Sequence, residues 1–118
     1  MLPELEVKDS IRDPDSYDQT ARWRNPATDK PLYRVYLYLE ETKLPYVKAV
    51  TYVLHPTFTN PPHPVYRTHA NPRCTQVIWT SRLFRVQAIV TDRDGNMSTL
   101  THDLQYDKEF SEVPFVAA

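Results

Sequence analysis

The chain has 118 residues and a mass of 13.9 kDa, which is the usual size of one domain. Eleven prolines against a single glycine argue against a helical bundle, because helix interiors reject proline, and against phosphate-binding loops, which need several glycines. Fourteen basic and fifteen acidic residues, with no basic stripe, are not typical of nucleic-acid binding. A hydrophobic fraction of 41% is enough to build a packed core.

The cysteine content and the lack of long apolar runs bear on the cellular compartment. The lone Cys74 cannot form an internal disulfide, and the N-terminus has no charged segment followed by an apolar one. No apolar run approaches the roughly 20 residues that cross a bilayer. We therefore expect a cytoplasmic protein, or a domain of a larger one, without a membrane span.

Alternation of apolar and polar residues with a period of two dominates the sequence, and no stretch has a sustained helical period. The first two short runs cover residues 5–11 and 21–23. In the third run, four apolar side chains share one face: Tyr33, Val35, Leu37 and Leu39. Later runs cover residues 48–54, 84–91 and 99–105. The pattern predicts an all-β chain.

Turn signals separate these runs. Asp94-Gly95 predicts a hairpin between the last two, and its glycine is the only one in the chain. The proline-rich residues 56–72 predict a stiff crossing between two sheets rather than a strand. Together these features predict an immunoglobulin-like β-sandwich of about seven to eight strands. We assign residues 1–108 to this domain and residues 109–118 to a C-terminal tail or the start of a linker.

The segment from Tyr46 to Phe58 resembles the signature of YEATS domains. In that family an aromatic-valine strand ends in a leucine, followed by a histidine, one residue, a serine or threonine, and a phenylalanine. The most specific part of the likeness is the stretch Leu54-His55-Pro56-Thr57-Phe58.

Two further strands extend this resemblance. Residues 84–90 resemble the family strand that opens on phenylalanine, and residues 99–104 resemble its final strand. The likeness covers roughly residues 3–107 and is strongest to prokaryotic members, which are often fused to signalling or membrane modules.

The resemblance implies a non-catalytic recognition domain with an immunoglobulin-like fold. Eukaryotic members bind acylated lysine between aromatic side chains at one end of the sandwich. By this likeness Phe58 is one aromatic wall, while His55 and Thr57 are the polar pair whose hydroxyl bonds the acyl amide. Ser81 stands where the family has a second aromatic in a glycine-containing loop, and Trp79 is the candidate substitute.

Several of these residues also have a structural interpretation. Phe58 can be a buried side chain that packs beneath the crossing. His55 can end a strand with its ring hydrogen-bonded to a neighbouring carbonyl. Trp79 suits a core as well as a recognition site, because it has a large apolar surface and one donor.

A second candidate surface lies on the third run. Arg34, Tyr36 and Tyr38 share the face opposite the core, and exposed tyrosines with arginine are typical of protein interfaces. Alternatively, the N-terminal segment or the C-terminal tail covers this face.

Enzyme and metal chemistry have little support in the sequence. It contains no Gly-x-Ser-x-Gly or His-Glu-x-x-His motif, and one cysteine with scattered histidines does not supply three or four zinc ligands. We expect no catalysis, no cofactor and no metal. An enzyme would need a cleft that gathers His55, His102 and an aspartate.

Two functions therefore compete. The first is protein–protein interaction or ligand sensing in a prokaryotic signalling or defence assembly, with a protein or peptide as the partner. The alternative is a reader of acetyl- or crotonyl-lysine in peptides through a partial aromatic pocket. The alternative requires Phe58 and Trp79 to face each other across a slot.

Overall fold

The computed structural model describes residues 5–15, 20–24, 31–40, 46–54, 62–111 and 114–117. Within these ranges the chain forms nine β-strands and a 3₁₀ helix at Tyr106–Glu109. The strands are β1 (Glu6–Ser10), β2 (Ala21–Arg24), β3 (Leu32–Glu40), β4 (Val47–Val53), β5 (Pro64–Tyr66), β6 (Gln76–Thr80), β7 (Arg85–Asp92), β8 (Met97–Asp103) and β9 (Phe115–Ala117). The predicted all-β class is confirmed.

The strands form two sheets. Sheet A contains β1, β2, β3, β6 and β9, and sheet B has the order β5-β4-β7-β8. In sheet A, β3 is central, because β6 pairs along one of its edges while β1 and β2 follow one another along the other. This two-sheet arrangement confirms the predicted sandwich.

The core lies between the sheets and uses the alternation seen in the sequence. Fully buried side chains from β3 and β7 face each other there: Val35, Leu37, Leu39, Val86, Ala88 and Val90. Tyr52 of β4 is also buried, and its hydroxyl donates a hydrogen bond of 2.8 Å to the carbonyl of Cys74. That bond satisfies the one polar group of an otherwise apolar side chain.

The predicted hairpin at Asp94-Gly95 connects β7 to β8. Gly95 has a φ of 89°, a conformation that side chains with a Cβ rarely adopt. The carboxylate of Asp92 accepts hydrogen bonds from the backbone N–H groups of Asp94 and Asn96, each at 2.9 Å. The backbone N–H of Arg93 also donates a hydrogen bond of 2.9 Å to the carbonyl of Tyr46, so the turn is held both locally and by the residue before β4.

The proline-rich crossing differs from its prediction, because three of its residues form β5. This strand pairs only with β4, at the edge of sheet B. Proline is tolerated in an edge strand, since the free side needs no N–H donor. The chain crosses to sheet A after β5, through a turn in which Asn71 bonds both the backbone N–H and the carbonyl of Thr75.

The C-terminal segment, predicted as a tail or linker start, contributes to the sandwich. Phe115–Ala117 form β9, which runs parallel to β2. The carboxylate of Glu109 accepts hydrogen bonds from the hydroxyl of Ser10 at 3.0 Å and from the backbone N–H of Ile11 at 3.1 Å. The domain boundary after residue 108 stays a prediction, but the segment beyond it contacts sheet A.

A buried polar pair joins the two sheets. The Asp9 side chain on β1 is fully buried, and its Oδ1 lies 2.5 Å from Nε2 of His102 on β8. Its Oδ2 accepts a hydrogen bond of 2.9 Å from the backbone N–H of Gln105. Both oxygens of the carboxylate are therefore satisfied inside the protein, as a buried charge requires.

We expect Asp9→Ala to lower the free energy of unfolding by about 2–4 kcal/mol, because it leaves two part-buried polar groups, His102 Nε2 and the backbone N–H of Gln105, without their partner. Asp103→Ala is the matched control. Asp103 pairs with Arg85 in a fully exposed position, so its loss leaves stability nearly unchanged. Urea unfolding followed by circular dichroism measures both, and equal effects would contradict a special role for Asp9.

Candidate functional site

One end of the sandwich gathers the loops that carry the predicted site. β3 begins and β6 ends there, since Tyr33 pairs with Thr80, and β4 ends where β7 begins, since Val53 pairs with Gln87. The short loop from β6 to β7 connects the two sheets at this position. We call it the loop end.

The predicted ligand residues that follow β4 are His55, Thr57 and Phe58. All three lie outside the described residues, as do residues 25–30. Their roles stay predictions, and so does the slot between Phe58 and Trp79.

The β6–β7 loop keeps its shape without glycine. The hydroxyl of Thr80 accepts a hydrogen bond of 3.0 Å from the backbone N–H of Arg82. The Tyr106 hydroxyl donates a hydrogen bond of 2.9 Å to the carbonyl of Arg82. A threonine side chain thereby supplies the local turn contact, as hydroxyl residues commonly do.

Ser81, one of the predicted ligand residues, lines an open pocket of about 350 Å³ at the loop end. The other described residues that line it are Pro31, Tyr33, Leu83, Tyr106, Asp107 and Phe110. We call this site the aromatic pocket. Leu83 is 51% exposed and Phe110 36% exposed, so its rim is apolar and open to solvent.

Four rings pack together around the aromatic pocket. The ring centroid of Tyr33 lies 4.8 Å from that of Phe110, 5.9 Å from that of Phe115 and 6.2 Å from that of Tyr106. Phe110 in turn lies 5.9 Å from Tyr106 and 5.7 Å from Phe115. Tilted and edge-on arrangements at these distances are favourable ring contacts. The pocket wall is therefore fixed by mutual packing of residues from β3, the 3₁₀ helix and β9.

Bonds to β1 and to the residues just after it hold the 3₁₀ helix in place beside the pocket. Asp9 accepts from the N–H of Gln105, the residue before the helix, and Glu109 at its end bonds Ser10 and Arg12. The Arg12–Glu109 ion pair is 2.7 Å long and partly buried. These bonds at both ends of the helix orient Tyr106 and Phe110 toward Tyr33.

Trp79 lies away from the aromatic pocket. It pairs with Arg34 across the β3–β6 ladder, so the two side chains share the outer face of sheet A. Trp79 is half-buried, and the guanidinium carbon of Arg24 lies 4.2 Å from the centroid of its ring. At that distance the arginine occupies one face of the indole in a cation–π contact.

The predicted interaction surface of Arg34, Tyr36 and Tyr38 is only partly exposed. All three lie on the outer face of sheet A, but Tyr36 is 6% exposed, so its expected exposure is wrong. β3 is a central strand, and Tyr36 lies between Ser10 of β1 and Val77 of β6. The Arg34 guanidinium also lies 5.3 Å from the Tyr36 ring centroid. Burial by neighbouring strands explains the difference.

Sequence reasoning missed most of the aromatic pocket. The alternation places Tyr33 on the core face, and no motif marks Tyr106, Asp107 or Phe110 as site residues. Two aromatic residues four positions apart directly after the last predicted strand are a signal that could have been used, because isolated aromatics in a true tail have nothing to pack against.

Other kinds of site find no support in the part of the chain that the structure covers. There, no three metal-binding side chains of His, Cys, Asp or Glu come together. No helix among the same residues is long and apolar enough to cross a membrane.

Comparison with known proteins identifies the family. The family model of prokaryotic YEATS domains matches residues 33–105, more than half of the chain, and the chain therefore belongs to this family. The resemblance seen in the sequence is confirmed. A comparison with curated proteins found no match.

The fold is similar to that of a solved structure, the Yaf9 YEATS domain recognizing the H3K122suc peptide. The TM-score is 0.59 and the sequence identity 13%, over 91% of this chain and 74% of the other. The likeness supports the immunoglobulin-like sandwich shared by YEATS domains.

The Tyr106 hydroxyl offers a test of the pocket wall. Burial raises its pKa to about 12, above the value of about 10 for an exposed tyrosine. As the pH rises, the hydroxyl loses its proton in the unfolded chain before it does so in the folded protein. The stability that the buried hydroxyl contributes is therefore fully present below about pH 10 and is lost as the pH rises toward 12. We expect the free energy of unfolding to fall less steeply above about pH 10 in Tyr106→Phe than in the parent protein. Parallel pH dependences in urea titrations would contradict the burial of this hydroxyl.

Proposed function

We propose that this domain is a non-catalytic recognition module that binds a protein or peptide at the loop end, as part of a prokaryotic signalling or defence assembly. The observation that carries the proposal is the aromatic pocket. It is concave, about 350 Å³ in volume, lined by three rings and open at an apolar rim. Pockets of about 300–1,000 Å³ with apolar walls and a few polar groups are typical ligand sites.

Family membership also supports the loop end as the place where a partner binds. YEATS domains are reader domains, and the structural neighbour recognizes a modified peptide. In this chain the segment that resembles the family signature, residues 46–58, contains β4, which ends at the loop end, and Ser81 lies on the pocket wall. The outer face of sheet A is a weaker candidate because Tyr36 is buried and arginines occupy the faces of Trp79 and Tyr36.

A second candidate function is the reading of acylated lysine. It is favoured by the Leu54-His55-Pro56-Thr57-Phe58 stretch, in which Thr57 would bond the acyl amide beside Phe58. Ser81 and the position of Trp79 weaken it, because the second aromatic wall of the family has no evident replacement in the described loop.

A nuclear magnetic resonance titration tests the proposed location. We expect peptides that bind to shift the backbone amide signals of Ser81 and Leu83, while those of Asp94 and Gly95 at the opposite end stay in place. Leu83→Ala should weaken binding severalfold through loss of apolar contact area. Met97→Ala removes an even more exposed apolar side chain at the far end and should change nothing.

The peptide series separates the two functions. It contains unmodified, acetylated and crotonylated lysine in the same flanking sequence. A preference for acylated peptides that Thr57→Val abolishes, and Thr59→Val does not, would establish acyl-lysine reading. No shifts at the loop end with any peptide up to millimolar concentration would reject the recognition module itself.

A further inference from the structure

We propose that the aromatic pocket binds a cation, the ammonium group of a lysine or N-methylated lysine in a peptide partner. This inference rests on the proposed function, since it assigns a ligand class to the site at the loop end. It concerns a different set of side chains from His55, Thr57 and Phe58, whose predicted ligand is a neutral acyl amide.

The rings supply the first requirement of a cation site. Tyr33, Tyr106 and Phe110 line the pocket. Phe110 is 36% exposed and Tyr33 is half-buried, so these two rings can meet a ligand, whereas Tyr106 is only 2% exposed and packs against both. Phe115 packs against Tyr33 and Phe110. The faces of aromatic rings carry negative potential and attract ammonium groups, most strongly where water is partly excluded. Several rings around one concavity are the usual arrangement for methylated ammonium ligands.

Asp107 supplies the second requirement. It is the one charged residue among the described residues that line the pocket, and its charge is negative. The structure shows no ion pair for its carboxylate within the described ranges. A carboxylate at an apolar rim is complementary to a cation and repels an anion, so the pocket favours an ammonium over a carboxylated acyl group.

The position of Ser81 makes room for such a ligand. In the resemblance to YEATS domains an aromatic side chain would stand there, whereas the small serine leaves the space beside Leu83 and Tyr33 open. Its hydroxyl can accept a hydrogen bond from an ammonium N–H. The pocket volume suits an extended lysine side chain rather than a large cofactor.

A matched pair of ligands tests the charge directly. One peptide carries Nε-trimethyllysine and the other its neutral isostere, in which a carbon replaces the quaternary nitrogen. We expect the cation to bind about tenfold more tightly than the isostere, as cation–π attraction in a partly desolvated site implies. A third peptide with acetyllysine reports on the family's known type of ligand, and free trimethyllysine shows whether the flanking peptide is needed.

Protein variants test whether the preference for the cation arises in the aromatic pocket. Asp107→Asn should weaken binding of the trimethyllysine peptide severalfold and leave the isostere unchanged, while Asp94→Asn at the opposite end should alter neither. Phe110→Leu keeps the apolar volume but removes a ring face, so it too should weaken only the cation. Circular dichroism of each variant confirms that the fold is retained.

The outcomes are distinguishable. Equal affinity for cation and isostere, or no effect of Asp107→Asn, would overturn the cation site while leaving recognition at the loop end standing. Silence of the Ser81 and Leu83 signals with every peptide would instead reject the proposed function. A cation preference that survives Asp107→Asn and Phe110→Leu would place the ammonium outside the aromatic pocket and also overturn the inference.

Discussion

The buried carboxylate of Asp9 is the interaction on which the site depends. A charge without water must be fully hydrogen-bonded, and here the partners are His102 on the opposite sheet and the backbone of Gln105. The first contact fixes β1 of sheet A against β8 of sheet B. The second fixes the direction in which the chain leaves β8, and so determines where Tyr106 and the 3₁₀ helix lie.

The aromatic rings at the loop end are supplied by a different segment of the chain from the one that the family resemblance implies. Ser81 leaves the β6–β7 loop without an aromatic wall, and Trp79 is committed to the outer face of sheet A by its pairing with Arg34. Tyr106 and Phe110, which follow β8, form the wall instead. In the proposed site the rings are thus supplied by a different segment of the shared sandwich, as is common when one fold serves several ligands.

Local alternation was sufficient to predict the class of fold, because burial between two sheets imposes a period of two that is visible in β3 and β7. It could not predict β5 or β9, since three-residue strands at sheet edges depend on their partners rather than on their own sequence. The same limit explains Tyr36: alternation gives the face of a side chain, but not whether its strand is central. The family signature predicts binding at the end of β4, and that stays a prediction, whereas the aromatic pocket depends on contacts between residues far apart in the chain.

The bonds from Asp9 and Ser10 of β1 to His102 and Glu109 also have a kinetic consequence. They join residues 93 to 99 positions apart, whereas the Asp92 turn of the β7–β8 hairpin is closed by residues no more than four positions apart. Short loops close faster and at a smaller entropic penalty than long ones. The order of assembly expected from this contrast is hairpin first and pocket last. A ligand held by Tyr33 and Phe110 would bind only the assembled pocket, and it would therefore lower the population of forms in which this end of the sandwich is open.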